Sequence, residues 1–277
     1  MQLCATLVRR FVVVMLLITG ASRLCAADDH TEFLSPDERR QRLLQTTLAG
    51  TALITLWGVL EWDYFSRSPH AESEGWFGSE TGSGGADKLG HAYTTYVYSH
   101  ALSALYEHWG FNQQNAALYG ALSSFATLSY MEFGDSFSDF GFSTEDLLAN
   151  GVGALLGYVL AGNDNLAAKI DFRLEYNLSF DKMDVFTDYE NSKYLLALKL
   201  NGFEAVRNTP WRHLEFHLGY YTRNFDTNTE NNERNIYLGI GINLTDLLQR
   251  HFWKKTATML RYFQLPWTSL SLSHDLE

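Results

Sequence analysis

Asp87-Lys88-Leu89-Gly90-His91 sets a carboxylate and an imidazole four residues apart, one helical turn apart on a single face. Two more polar pairs follow at similar spacing: Glu132 with Asp135, and Asp146 with Asn150 behind Ser143-Thr144-Glu145-Asp146, which has the form of a capping box. Three chemistries fit these residues. In the structural one, Asp146 and its neighbours cap a helix while His91, Glu132 and Asn150 satisfy one another as a buried network that also takes in Lys88. In the second, one histidine with two or three carboxylates holds a hard or borderline divalent ion, although neither HExxH nor a second histidine at matched spacing accompanies it. In the third, His91 is a general base oriented by Asp87, with Glu132, Asp135 or Asp146 as the acid or water-activating partner. Ionisable groups beside apolar helices are costly to keep, which favours function, yet no GxSxG or GxxxxGK[ST] nucleophile or phosphate motif is present. No motif implies an organic cofactor. His100, His108, His213, His217, His251 and His274 are scattered, as packing or surface histidines usually are.

The elements that must position these residues divide the chain by periodicity. Thr46–Leu60, Ala92–Tyr106, Ala116–Met131 and Leu147–Gly162 are uncharged stretches rich in Ala, Gly, Ser and Thr. Their length lies between that of a buried core helix and that of a transmembrane one. Small residues a turn apart let helices approach closely in lipid and in a tight soluble bundle alike, so both settings stay open. Ser35 and Pro36 suit the cap and first position of the first helix.

From Ile170 the period becomes two. Ile170, Phe172, Leu174, Tyr176, Leu178 and Phe180 alternate with Asp171, Arg173, Glu175, Asn177 and Ser179, which predicts a half-buried strand. The pattern recurs at Tyr194–Leu200, Leu214–Tyr220 and Ile236–Leu244, with a shorter strand at Trp267–Leu272 after an amphipathic helix around Leu247–Tyr262. Four or five strands make an antiparallel meander, too few for a closed outer-membrane barrel. Tyr220, Tyr221, Trp211, Trp253 and Trp267 read either as an interfacial belt or as aromatics packing the sheet on the helices.

Residues 1–27 have the three parts of a secretory signal: Arg9 and Arg10, an apolar run from Phe11 to Ile18, and small residues closing on Cys25-Ala26-Ala27. Cleavage there removes three arginines, taking the formal charge from −11 to −14, and removes both cysteines, Cys4 and Cys25. The mature chain then has no disulfide, thiol nucleophile or thiolate metal site. A lipid on Cys25 is disfavoured by Ser22-Arg23-Leu24, a poor small-residue box. The acidic balance argues against nucleic acid as a partner, and the 46% hydrophobic content argues against disorder.

Asp87-Lys88-Leu89-Gly90-His91, then Leu128-Ser129-Tyr130-Met131-Glu132-Phe133-Gly134-Asp135, then Gly141-Phe142-Ser143-Thr144-Glu145-Asp146-Leu147-Leu148-Ala149-Asn150, together resemble a bacterial family of predicted periplasmic lipoproteins of unknown function. The resemblance covers roughly Ala86 to Gly162. Met131 stands where other members carry a lysine. The opening and the later glutamate are also loosely similar to VanZ-like membrane helices. Neither resemblance supplies a reaction; the first implies an exported protein.

These readings give an α+β protein: a signal segment (1–27), a four-helix, small-residue-rich bundle, in a membrane or outside one (28–165), and a strand-rich part with a late amphipathic helix (166–277). The expected role is that of a cell-envelope protein of the periplasm or outer membrane of a Gram-negative bacterium, structural or interacting, partnered by membrane lipid or an envelope protein, with an oligomer allowed. The other reading is a His/carboxylate-dependent hydrolase or acyl-chain enzyme acting on envelope lipid.

Overall fold

A computed structural model describes residues 34–177, 187–225, 231–249 and 258–276. The signal segment, Cys25, Trp253, the end of the first predicted strand and the middle of the late helix lie outside the described residues.

Four long helices come first: α1 (Pro36–Glu61), α2 (Ala86–His108), α3 (Gln113–Asp135) and α4 (Thr144–Ala161). Each contains one of the predicted uncharged stretches, lengthened by polar turns at its ends. Ser35 caps α1 by a full capping box, its hydroxyl accepting from the Glu38 amide at 3.3 Å while Glu38 accepts from the Ser35 amide at 2.7 Å. Asn112 and Ser143 cap α3 and α4. The central helix is α2, packed on both α3 and α4. Glycines permit that packing: a Cβ at Gly153 would strike the Ala92 carbonyl, one at Gly120 would lie 2.8 Å from the Ser99 carbonyl oxygen, and one at Gly157 2.5 Å from Ser99 Oγ. Among these helices α1 is the least embedded, with only Gly58 buried.

After the short α5 (Asp164–Ala167) the chain enters a mixed six-stranded sheet. Its strands are β1 (Ile170–Tyr176), β2 (Ser192–Lys199), β3 (Leu214–Arg223), β4 (Glu233–Ile242), β5 (Phe263–Gln264) and β6 (Ser269–Asp275), with α6 (Leu244–Gln249) after β4. The spatial order is β5-β1-β2-β3-β4-β6. The first four strands form the expected antiparallel meander; β5 adds a parallel pair on β1, and β6 an antiparallel one on β4.

The sheet must curl. In a flat sheet β5 and β6 would be five strand spacings apart, ~24 Å. Only residues 265–268 join them, and the five steps from Gln264 to Ser269 reach at most ~18 Å. The connection is pinned to both edges: the Leu174 amide donates to the Tyr262 carbonyl at 2.9 Å, and the Ile242 amide to the Thr268 carbonyl at 3.2 Å.

Curling decides which face is inside, and here the expectation of a half-buried β1 is corrected. Asp171, Arg173 and Glu175, predicted to face water, are buried. Arg173 donates to Glu215 Oε1 and Oε2 at 2.6 and 3.0 Å, to Asp171 Oδ2 at 2.9 Å and to Gln264 Oε1 at 2.9 Å. Lys199 donates to the other Asp171 oxygen at 2.7 Å, and His217 Nε2 lies 2.9 Å from Glu215 Oε1. Alternation then sends the apolar residues outward. The register forms two continuous rows, Leu198-Phe216-Ile240-Leu270 and Phe172-Leu196-Leu218-Leu238-Leu272. Helices cover this face mainly at β1 and β2, where Tyr93 and Tyr96 of α2 pack on Phe172, Leu174 and Tyr194. Beyond that seam Leu238 is 65% exposed and Leu270 and Leu272 are 85% exposed.

Replacing Arg173 with Leu strands Asp171 and Glu215 in the sheet interior, so it should destabilise the protein by about 3–5 kcal/mol, read from chemical unfolding. By contrast, Leu238→Ala, at an exposed position, should cost under about 1 kcal/mol in that measurement.

Candidate functional site

Three helix ends meet at one end of the bundle: the start of α2, the end of α3 and the start of α4. Lys88 and His91 come from the first, Glu132 and Asp135 from the second, Asp146 and Asn150 from the third. Ser143 supplies half a capping box, accepting from the Asp146 amide at 3.2 Å. The Asp146 carboxylate, which would complete the box, turns inward to Lys88 instead.

Lys88 is 2% exposed, and its ammonium lies among three carboxylates: Glu74 Oε2 at 2.5 Å, Asp87 Oδ2 at 2.7 Å and Asp146 Oδ1 at 2.9 Å. Asp87 also accepts from Ser83 Oγ at 2.5 Å. Asp87 is thus committed to Lys88 and Ser83. The two carboxylates that face His91 are Glu132, whose Oε1 is 3.2 Å from Nδ1, and Asp146, whose Oδ1 is 3.7 Å from Nε2. Behind Glu132, Asn150 Nδ2 donates to Oε1 at 3.4 Å, and Thr95 Oγ1 donates to Asn150 Oδ1 at 2.7 Å. Ser124 holds the Thr95 carbonyl at 2.8 Å, so the chain of contacts crosses α2, α3 and α4. Asp135 lies beside Tyr64, whose ring fills the space left by Gly58 and Gly134.

All the singled-out residues gather here, and three partners join them that no spacing announced. Glu74 and Ser83 come from the glycine-rich segment before α2, Tyr64 from the turn after α1. Glu74 and Ser83 had only the weak signal of polar residues in a loop; Tyr64 had none. Tyr189 and Tyr194 reach from the sheet side to Gly90, where a Cβ would come within 3.0 Å of both rings.

Five carboxylates share this region with one ammonium, and most of their affinities move accordingly. Burial, reinforced by Asp146 and Asp135, pushes Glu132 up to about 9. Burial likewise pushes Asp135 up to about 7, against the Tyr64 hydrogen bond, and Glu74 up to about 7, against Lys88. Burial alone would lower Lys88, but Asp87, Glu74 and Asp146 outweigh it and hold the ammonium charged. For Asp87 burial is outweighed by Lys88 and Ser83, which keep it below the usual carboxylate range. Burial lowers His91 despite Asp146 and Asp87, which leaves a neutral imidazole between a proton-retaining glutamate and an aspartate. The set can therefore hold and move a proton, and two groups of donors are close enough to surround a cation: His91, Glu132 and Asp146, and Glu74, Asp87 and Asp146.

Asp135 yields a pH signature. Its affinity in the folded state rises from 3.8 to about 7, so the stability it contributes is fully present below about pH 4 and is lost as pH rises through 7. With EDTA present, the melting temperature should fall over that interval, and fall less in Asp135→Asn. Parallel curves for the two proteins would show that the carboxyl carries no extra proton.

No curated protein and no solved structure matches this chain. The segment that carries the cluster does have relatives: residues 73–162 match the model of a family described as Predicted periplasmic lipoprotein (DUF2279), which supports an exported, cell-envelope location.

Proposed function

We propose that the protein is a membrane-seated component of the cell envelope, its uncharged outer surface against lipid acyl chains and its polar cluster at the rim of that surface. The observation that carries this reading is the inversion of the sheet, with Arg173, Asp171 and Glu215 inside and the leucine rows outside. The helices follow the same rule. Leu44, Leu48 and Leu56 of α1, Leu122 of α3 and Leu148, Val152 and Leu155 of α4 are all more than half exposed. A protein partner covers one patch, whereas these residues belong to three helices and most of the sheet, unlike the singly scattered apolar residues of a soluble surface. Among the described residues Pro36–Glu61 is the one helix long and apolar enough to cross a membrane, and it is mostly unburied. The cluster residues Lys88, His91, Glu132, Asp135 and Asp146 all lie just outside the four uncharged stretches. In this reading the layer is the outer membrane of a Gram-negative bacterium; the description of the matched family supports export to the envelope.

The test is membrane fractionation by density, followed by carbonate washing and tryptophan fluorescence in vesicles of brominated lipid. The protein should stay in the washed outer-membrane fraction, and its fluorescence should be quenched. Recovery of folded protein in the soluble periplasm would overturn the reading.

One observation favours a second reading, a hydrolase or acyl-chain enzyme acting on envelope lipid: His91 has a carboxylate at each ring nitrogen while Glu132 retains a proton, so base and acid stand together. The structural role predicts that His91→Ala lowers the melting temperature, since Glu132 and Asp146 lose a partner. The catalytic role predicts an unchanged or raised melting temperature and loss of phospholipid hydrolysis in mixed micelles.

A further inference from the structure

Asp146 belongs to two groups of ligating side chains at once. The group with Glu74 and Asp87 encloses the Lys88 ammonium, which touches all three. The group with His91 and Glu132 encloses no lysine or arginine among the described residues, yet its donor atoms lie within 4.8 Å of one another. They do not satisfy each other. His91 Nδ1 is buried without a hydrogen bond, although it is 3.2 Å from Glu132 Oε1, and Asp146 Oδ1 meets only the Lys88 ammonium, at 2.9 Å. Asp146 is 3% exposed and Glu132 2%, so water reaches neither freely. An unsatisfied buried polar atom costs about 1–3 kcal/mol, and here carboxylate oxygens flank the imidazole, Glu132 at 3.2 Å from Nδ1 and Asp146 at 3.7 Å from Nε2.

We infer that His91, Glu132 and Asp146 bind one divalent cation beside Lys88. One imidazole nitrogen and two carboxylate oxygens suit a borderline ion such as Mn2+ or Zn2+ better than Ca2+, which takes six to eight oxygens. An ion with bonds of ~2.1 Å holds neighbouring donors ~3.0–3.5 Å apart, the range of the His91–Glu132 distance. When the ion displaces the proton that Glu132 retains, two carboxylates and a neutral imidazole balance its charge. The outer contacts are in place as well: Asn150, held by Thr95, orients Glu132, and Lys88 orients Asp146. His91, at 16% side-chain exposure, is the member of the set that meets solvent and gives the ion its way in. The inference stands apart from the membrane reading, because it uses only the three helix ends.

The experiment is titration of the chelator-stripped full-length protein in detergent with Mn2+ alone, read by electron paramagnetic resonance and by melting temperature. One Mn2+ should bind per chain, raise the melting temperature, and show nitrogen coupling that changes when histidine is labelled with 15N. Affinity should fall at least about tenfold in His91→Gln and in Glu132→Gln and stay unchanged in Asp139→Asn, an exposed carboxylate paired with Arg67. Zn2+ should compete and Ca2+ should not. Absence of stoichiometric Mn2+ binding, or binding without nitrogen coupling, would overturn the site even if both variants failed to fold. Equal affinity in wild type and both folded variants would overturn it too.

Discussion

A guanidinium that has left water dictates the architecture of the strand-rich half. Arg173 is tolerable in the sheet interior only because Glu215 meets it with both oxygens while Asp171 and Gln264 take further donors. Asp171 and Arg173 lie on β1 and Glu215 on β3, so the pairing bridges over β2, where Leu195 and Ala197 leave room beneath it. Only a curled sheet brings those side chains together. Once the polar face is concave, period two leaves the leucine rows no place but outside, and the unusual surface of the molecule is a direct result of the ion network within.

The helical half repeats the logic around Lys88. Its charge is held by three carboxylates from one irregular segment and two helices, and its neighbours then compete for the remaining compensation. Glu132 loses that competition and keeps a proton; Asp87 wins it and does not. Such a cluster demands close helices, which explains the glycines better than a general taste for small residues does. Gly153 sets α4 on the Ala92 backbone, one residue from His91, and a side chain there would move Asp146 and Asn150 away from the imidazole. The small-residue pattern and the polar cluster are thus one feature.

The helix stretches and the onset of period two were legible because each rests on local repetition, and the structure extends the helices by between one turn and nearly three, the most at the start of α1. The convergence of Asp87, Lys88, His91, Glu132, Asp146 and Asn150 was legible in outline, since each stands at a helix end with a partner one turn away. The inner and outer faces of β1 were not. Alternation states that two faces differ, but which one is buried depends on curvature, and curvature depends on Glu215 and Gln264, 42 and 91 residues away from Arg173. His217 was passed over for the same reason: its significance comes from Glu215 and from Gly241 on the facing strand, whose missing side chain makes room for the ring. Glu74 and Tyr64 lie in irregular segments, where spacing carries no geometric meaning.

The two charge centres are joined by an aromatic seam, and the seam explains how an outward-leucine sheet and an outward-leucine bundle make one molecule. Tyr93 and Tyr96, nearly one turn apart on α2, pack on Phe172, with Tyr194 alongside; Tyr93 donates to the Tyr262 carbonyl at 2.7 Å, and His100 lies 3.0 Å from the Tyr262 hydroxyl. Aromatic rings bury large apolar area while their hydroxyls find partners, so the seam packs both halves together through apolar contact and hydrogen bonds. Because it lies at β1 and β2, the helices cover the sheet mainly there, and the outer faces of β4 and β6 stay exposed, as do leucines of α1, α3 and α4. Charges near hydrocarbon are costly, more so toward its middle. The fold keeps one set inside the sheet and the other at the helix ends, leaving the surface between them free to meet lipid.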